Sequence, residues 1–286
     1  MTTDTDLAAR RTSIRSWWSA DGHRFLPPAL ITCILVGSQV TYGILEGLSK
    51  TALAIAVAVG VEALLGWLHG SRKPNFVSGY ITGISVGILI RSLWLWPYAL
   101  CSAVSILSKY VIRWRGRHLW NPSNLGVSAM FFLAPEMAAG LSVQWGNAVW
   151  VMLVIWVFGW MAVWRVNRLH ICLTYVASFL ALGFVRSLVT GQAYLAGVAP
   201  ITGPMYQLFI FFMITDPKTT VKTKRGQCWV AVSVAVVEAV LRLHEQVYAP
   251  FYALFLVGPC AIATEIWMEK RGGVSGSSGT RVEVGG

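Results

Sequence analysis

The chain has 286 residues and a formal net charge of +11, and 56% of its residues are hydrophobic while only 12% are charged. Soluble domains usually carry about 25% charged residues, so this composition, with a mean hydropathy of +0.61, excludes a soluble globular protein. The composition predicts an integral membrane protein whose first partner is the lipid bilayer.

Apolar runs recur along the chain, and each is bounded by charged residues, Pro or Gly. Because a span needs roughly 20 apolar residues, or fewer for a half-helix buried in protein, we predict an all-α polytopic protein with about ten transmembrane helices. Residues 1–24 are predicted to be a cytoplasmic segment, residues 25–268 a single membrane domain, and residues 269–286 a disordered Gly/Ser-rich tail. The predicted spans are 25–45, 51–68, 76–91, 93–112, 122–134, 147–164, 169–188, 201–215, 228–243 and 250–268.

The distribution of Lys and Arg predicts the orientation of these spans. If the N terminus is cytoplasmic, the even-numbered connections and the C terminus lie on the same side and hold most of the basic residues. The outer connections, including the Gly-rich loop TGQAYLAGVAP at 190–200, hold few. This asymmetry follows the positive-inside rule. The net charge therefore indicates topology and not nucleic-acid binding, and we predict a bacterial-type inner membrane with both termini cytoplasmic.

Two short matches indicate an internal repeat. Ile81-Thr82-Gly83 recurs as Ile201-Thr202-Gly203, 120 residues and five spans later. Asn121-Pro122 opens the fifth span and Ala249-Pro250 opens the tenth. Since five is odd, the second copy enters the membrane from the opposite side. The sequence predicts two inverted five-helix repeats, 25–134 and 147–268, whose short or discontinuous helices meet near the midplane.

Two polar stretches interrupt the apolar runs. In RGRHLWNPSNLG (115–126), Asn121-Pro122 starts a helix whose first N–H groups have no intrahelical partner. That helix start either attracts an anion or carbonyl dipole, or is simply capped while Arg115 and Arg117 face phospholipid headgroups. In FFMITDPKTTVKTKRGQ (211–227), Asp216 beside Thr215 either caps a neighbouring helix or coordinates a ligand or cation.

Glu62 and Glu238 lie deep in apolar runs, where an ionised carboxylate costs several kcal/mol unless it has a partner. Each either lines a polar cavity or pairs with a basic group such as Arg186 or Lys109. A transport pathway would be lined by four residues, namely Glu62, Thr82, Thr202 and Glu238. The five cysteines form no CxxC pair and no Cys/His cluster, so no metal site is predicted.

The two polar stretches resemble motifs of the RnfD/NqrB membrane family, which includes membrane subunits of Rnf-type electron transport complexes and of the Na⁺-translocating NADH:quinone reductase. That family shows a Lys, then a Gly-x-x-x-x-Asn-Pro block, and later an apolar run that ends in Thr-Asp-Pro before a basic loop. The matching residues here are Lys109, Gly116, Asn121, Pro122, Asn124, Thr215, Asp216, Pro217 and Gly226. The resemblance covers roughly residues 25–268, and in size and motif the chain is similar to short stand-alone UnbU-like relatives.

The resemblance implies a urea-transporter-like fold of two inverted halves and a part in electron transport coupled to transmembrane ion transport. It also implies cofactor-binding roles for Lys109, Asn121, Asn124, Thr215 and Asp216. Members in redox complexes carry FMN linked to a Thr in an S-G-A-T-like motif before the sixth span, where this chain reads GLSVQWGNAVW (140–150) without any Thr. Covalent FMN is therefore not expected, whereas a non-covalent flavin between the halves stays open.

Three functions remain compatible with the sequence. The first is a membrane subunit of electron-transport type, which would be a non-catalytic part of a redox-driven ion pump and not an enzyme on its own. The second is a stand-alone transporter or channel for a small solute or ion, and the third is a membrane scaffold without chemistry. The expected protein partners are other membrane subunits or a second copy of the chain, and no nucleic acid is expected.

Overall fold

The structure, a computed structural model, describes residues 22–42, 47–69, 74–140 and 149–275. Predictions for residues 1–21, for the tail from 276 and for most of GLSVQWGNAVW lie outside the described residues. Within them, the all-α prediction is confirmed apart from four two-residue strands in two antiparallel ladders. Strand β1 (Ile90–Arg91) pairs with β4 (Ala139–Gly140), and β2 (Arg113–Trp114) pairs with β3 (Arg117–His118).

The first predicted repeat contains five helices in the described ranges. They are α1 (Gly22–Tyr42), α2 (Leu48–Leu68), α3 (Phe76–Leu89), α4 (Trp96–Val111) and α5 (Pro122–Leu133). Two of them start at asparagine caps: the side chain of Asn75 accepts from the Ser78 N–H at the start of α3, and that of Asn121 accepts from the Asn124 N–H at the start of α5. These caps satisfy N–H groups that a helix start leaves unpaired.

The second predicted repeat contains four long helices and one broken segment. The long helices are α6 (Val149–Arg165), α7 (Leu169–Thr190), α10 (Lys224–Leu243) and α11 (Ala249–Ser275). The broken segment consists of α8 (Tyr194–Val198), a 3-10 turn (Ala199–Thr202), α9 (Pro204–Leu208) and a π-helical turn (Phe209–Met213).

The predicted eighth span, 201–215, is wrong as a single helix, and the predicted Gly-rich connection TGQAYLAGVAP contains the helical segment α8 and the start of the 3-10 turn. The helical segments Tyr194–Thr202 and Met205–Met213 are bent by 62° where they meet. Gly203 lies between two prolines, Pro200 and Pro204, and a proline is tolerated at the start of a helix but interrupts its interior. The chain therefore breaks at the second Ile-Thr-Gly, whereas the first, at 81–83, lies inside the continuous helix α3.

Four of the described helices are long and apolar enough to cross a membrane: Leu48–Leu68, Leu169–Thr190, Lys224–Leu243 and Ala249–Arg271. The bent pair adds a fifth if it forms one span, and three shorter apolar segments occur in α1, α3 and α6. By length and composition the described residues thus contain four or five candidate membrane spans, and the predicted ten are not confirmed.

Three helix–helix contacts recur at equivalent positions in the two halves. In the first half α2 packs on α4, α4 on α5 and α1 on α3; in the second half α7 packs on α10, α10 on α11 and α6 on α9 and the π-helical turn. Between the halves, the first helices α1 and α6 contact each other, as do the last helices α5 and α11. A buried apolar core that includes Val86, Phe131, Phe209 and Phe251 runs through both halves.

Three glycines on one face of α3 let it approach α2 closely. Gly79, Gly83 and Gly87 are spaced by four residues, and an added Cβ at Gly83 would lie 2.5 Å from the Ile55 Cα and 2.9 Å from the Ala54 carbonyl oxygen. In lipid, the hydrophobic effect does not drive helices to associate. Small residues at this spacing instead let two helix backbones pack closely together. The pair α2 and α3 therefore depends on the absence of side chains at these positions.

We expect Gly83→Ala to destabilise the protein by about 1–3 kcal/mol, because the new methyl group meets backbone atoms that no rotamer change can move. The measurement is thermal unfolding of the detergent-purified protein. The matched control is Gly60→Ala in α2, where a Cβ meets nothing within 4 Å and helix propensity improves. If both variants unfold at the same temperature, the close approach of α2 and α3 is contradicted.

Candidate functional site

The stretch RGRH forms a tight β-hairpin. Strands β2 and β3 flank Arg115 and Gly116, which both have positive φ values, 50° and 80°. Two-residue hairpin turns of this kind need a left-handed conformation at both positions, which Gly adopts without strain. The hairpin sets the direction in which Arg117 and the following residues leave the end of α4.

After the hairpin, Asn121 begins α5 and also contacts the other half of the protein. Its Oδ1 accepts from the Asn124 N–H at 3.1 Å, and its Nδ2 donates to Asp216 Oδ2 at 3.1 Å. The same side chain therefore caps a helix and binds a carboxylate. Of the two interpretations drawn from the sequence, the capped helix start is observed, and the binding of an anion at that helix start stays a prediction.

Asp216 organises the turn that follows the π-helical segment. Its carboxylate accepts from the Thr219 hydroxyl at 3.0 Å and from the Lys218 N–H at 3.1 Å, in addition to Asn121. The preceding Thr215 is buried, and its hydroxyl donates to the Phe211 carbonyl at 2.6 Å. Asp216 thus stabilises its own turn and fixes that turn to the start of α5.

Arg117 forms a second link between the halves. Its Nη1 forms a short ion pair with Glu265 on α11, and its Nη2 donates to the Thr220 carbonyl at 3.1 Å. Glu265 also accepts from the Lys222 N–H at 2.6 Å. Arg117 therefore does not simply face phospholipid headgroups, because it binds two elements of the second half.

Trp120 forms a third link, at the kink-prone centre of α11. Pro259 lies inside that helix and has no N–H for the carbonyl four residues earlier, which belongs to Phe255. The Trp120 Nε1 donates to this Phe255 oxygen at 2.8 Å. We call the set Arg117, Trp120, Asn121, Asp216 and Glu265 the junction, since its bonds join the two halves.

Asn124 lies just inside the junction and is 1% exposed. Its Nδ2 donates to the Phe251 carbonyl at 3.2 Å, and the Ser128 hydroxyl donates to the same oxygen at 3.3 Å. The Asn124 Oδ1 is buried without a hydrogen-bond partner among the described residues. Asn124 thus links α5 to α11, while the bonds from Asn121 to Asp216 and from Arg117 to Thr220 bring the two polar stretches together.

A first charged cluster lies between α2, α4 and the start of α3. The buried Glu62 accepts from the Tyr110 hydroxyl at 2.8 Å and from the Asn75 N–H at 3.1 Å, and its Oε2 lies 3.6 Å from the Lys109 Nζ. Lys109 also donates to the Ser78 hydroxyl at 2.9 Å. Of the two alternatives for Glu62, a polar cavity or a basic partner, the structure shows the pairing with Lys109.

A second charged cluster lies between α7, α10 and α9. Glu238 is fully buried and accepts from the hydroxyls of Tyr175 at 2.5 Å and Tyr206 at 2.6 Å. Arg186 and Arg242 both donate to the Gly197 carbonyl, at 3.1 and 2.9 Å, and line a small cleft together with Glu238. Glu238 therefore has two tyrosine partners and two half-buried guanidinium groups beside it.

The two threonines of the predicted pathway lie in different settings. Thr82 is buried within α3 and donates to the Ser78 carbonyl at 2.8 Å, so it adjoins the first cluster. Thr202 is exposed and donates to the Ala199 carbonyl at 2.8 Å at the break before α9. Both hydroxyls are bonded to their own backbone segment.

Sequence reasoning missed Trp120, Glu265, Tyr175 and Tyr206 as functional neighbours. A proline inside a predicted span leaves the carbonyl four residues earlier without its helical N–H partner. Pro259 therefore predicts that a side-chain donor such as Trp120 binds that carbonyl. No sequence signal distinguishes the two tyrosines from other aromatic residues of the apolar runs, because only packing places them at Glu238.

The five residues that the resemblance assigns to cofactor binding all have protein partners in this structure. Lys109 is bonded to Ser78 and Glu62, and Asn121 and Asp216 are bonded to each other. Of the five, only Asn124 retains a buried polar atom without a partner in the described part of the chain. Their role in cofactor binding stays a prediction.

No known protein-family model matches this chain, and no curated protein is significantly similar to it. The chemistry of the junction and of the two charged clusters is therefore the basis for a function.

The link at Pro259 can be tested with a double-mutant cycle. We expect Trp120→Phe to destabilise the protein by about 1–3 kcal/mol, because it leaves the Phe255 carbonyl buried without a donor. In a Pro259→Ala background the restored N–H can bond that carbonyl, so the same change should have little effect. Thermal unfolding of the four proteins in one detergent measures the coupling, and equal effects in both backgrounds would refute it.

Proposed function

We propose that this chain is a membrane protein of RnfD/NqrB type that takes part in electron transport coupled to transmembrane ion movement. The observation that carries the proposal is the contact at 3.1 Å between Asn121 and Asp216. These residues belong to the two blocks on which the resemblance depends, and 95 positions separate them in the sequence. Their contact gives both blocks one role, which is to hold the two halves together.

The proposed architecture is two inverted five-helix halves. It is supported by three helix–helix contacts that recur at equivalent positions in each half, and by the contacts between the two first helices and between the two last helices. A two-fold relation between the halves would produce such like-with-like contacts. An odd number of membrane-crossing segments in each half then reverses the second half relative to the first. The cytoplasmic location of both termini belongs to the same proposal.

We propose that the two charged clusters are the sites through which the ion moves. Glu62 and Lys109 lie near the C-terminal ends of α2 and α4, and Arg186 and Arg242 lie near the C-terminal ends of their counterparts α7 and α10. In an inverted arrangement these ends are close to opposite faces of the membrane. Ionisable residues inside membrane segments are costly and characteristic of ion or proton pathways.

The proposed part of this chain in electron transport is ion movement, while electrons pass through partner subunits. The described motif residues are bonded to protein groups and not arranged around an open flavin site. We therefore propose a non-catalytic subunit that associates with other membrane subunits or with a second copy of itself. One observation favours the alternative of a stand-alone transporter: the cleft beside Glu238, Arg186 and Arg242.

Ion uptake by inside-out membrane vesicles from the native host tests the function. With the chain present, we expect Na⁺ or proton uptake that depends on an added electron donor and is absent after deletion of the gene. Glu62→Gln combined with Lys109→Gln should reduce uptake to the level of the deletion, because it removes both charges of the first cluster without leaving either one unpaired.

The matched control is Glu269→Gln, the same change at an exposed carboxylate that pairs with Lys222, and it should leave uptake unchanged at equal protein abundance. Uptake that needs the chain but no electron donor would establish the stand-alone transporter instead. Equal uptake with and without the chain would overturn both functions.

A second measurement concerns the flavin. Because residues 140–150 contain no Thr, we expect any flavin of the purified protein to appear in the supernatant after acid precipitation, with none in the pellet. The measurement is flavin fluorescence of both fractions. Flavin that stays with the precipitated protein would contradict the expectation and would establish a covalent attachment elsewhere in the chain.

A further inference from the structure

An open cleft lies between the first turns of α7 and α10, and its lining includes no residue of the junction or of the charged clusters. His170 and Leu173 line it from α7, and Lys224, Arg225, Cys228 and Trp229 line it from α10. The two helices pack side by side along their length, so their N-terminal ends open toward the same face. That face carries the basic loops predicted to be cytoplasmic.

The cations of the cleft lack acidic partners within the described ranges. Lys224 and Arg225 are exposed, no ion pair holds either of them there, and no Asp or Glu lines the cleft. Lys222, two residues before the start of α10, pairs instead with Glu269 on α11 at 2.8 Å. Lys222 is thus paired toward α11, whereas Lys224 and Arg225 in the first turn of α10 line the cleft.

Apolar side chains lie one helical turn beyond these cations. Trp229 follows Arg225 by four residues on α10 and is 71% exposed, and Leu173 on α7 is 57% exposed. One turn advances a helix by about 5.4 Å, so the cationic rim and the apolar wall follow each other along the axis of α10. A bare phosphate would contact the rim alone, whereas a phospholipid presents an anionic head and an acyl chain in this order.

The helix ends add to the attraction for an anion. The cap residue of α7, Arg168, makes no side-chain cap bond, and the first turns of two long helices contribute partial positive charge at the same place. Indole rings also prefer the boundary between headgroups and acyl chains.

We propose that this cleft binds the headgroup of an anionic phospholipid, with Lys224 and Arg225 at the phosphate and Trp229 and Leu173 against the acyl chain. The site is independent of the proposed function, since it uses no residue of the junction or of the charged clusters. It fixes the ends of α7 and α10 to the membrane surface at the point where both helices begin.

Native mass spectrometry of the detergent-purified full chain tests this site, with phosphatidylglycerol as the probe and phosphatidylcholine as the zwitterionic reference. We expect tighter binding of phosphatidylglycerol, and roughly tenfold weaker binding after Lys224→Gln with Arg225→Gln. The control pair Lys218→Gln with Lys270→Gln removes the same charge from exposed positions on the same chain and should retain binding. Equal losses in both pairs would overturn the site.

The apolar wall separates a lipid from a soluble phosphate. Trp229→Ala should weaken phosphatidylglycerol binding, and glycerol phosphate should bind far more weakly than the lipid to the unmodified protein. Equally tight binding of glycerol phosphate would overturn the lipid assignment. A further measurement needs no variant: maleimide labelling of the half-buried Cys228, quantified by peptide mapping. We expect phosphatidylglycerol to slow this labelling. An unchanged labelling rate would place the lipid elsewhere.

Discussion

A membrane interior contains no water that could bond backbone groups. Each carbonyl that loses its hydrogen bond within a helix therefore needs another donor in the protein. Pro259 imposes this requirement on Phe255, and Trp120 meets it from the other half of the chain. The bond joins residues 135 positions apart in the sequence and fixes how α5 meets α11. The junction as a whole follows the same logic, since its polar groups bind one another across the halves.

The two halves share three helix–helix contacts without repeating the chemistry. In the first half the buried acid, Glu62, is on the second helix and its cation, Lys109, is on the fourth. In the second half the acid, Glu238, is on the fourth helix, where two tyrosines bind it. The buried acid therefore lies on the second helix of one half and on the fourth helix of the other. In the proposed inverted arrangement, an ion that crosses the membrane would meet these two clusters one after the other.

The sequence was most informative where local chemistry decides the structure. Asn121-Pro122 correctly predicted the start of α5, because cap and first-turn preferences are properties of a few adjacent residues. The eighth span was predicted wrongly because its apolar composition concealed the break at Gly203 between two prolines. The tyrosine partners of Glu238 were beyond prediction, since they lie 63 and 32 residues away from it in the sequence and only helix packing brings them together.

The contacts of the polar stretch RGRHLWNPSNLG (115–126) explain why it is polar. A hairpin at Arg115-Gly116 turns the chain, Arg117 and Trp120 bind α11, and Asn121 caps α5 while it binds Asp216. An apolar sequence in this place could cross from α4 to α5, but it could not satisfy the Phe255 carbonyl or Glu265. The stretch is polar because it joins two halves whose contact surfaces include backbone and charged groups, and those groups need partners that lipid cannot provide.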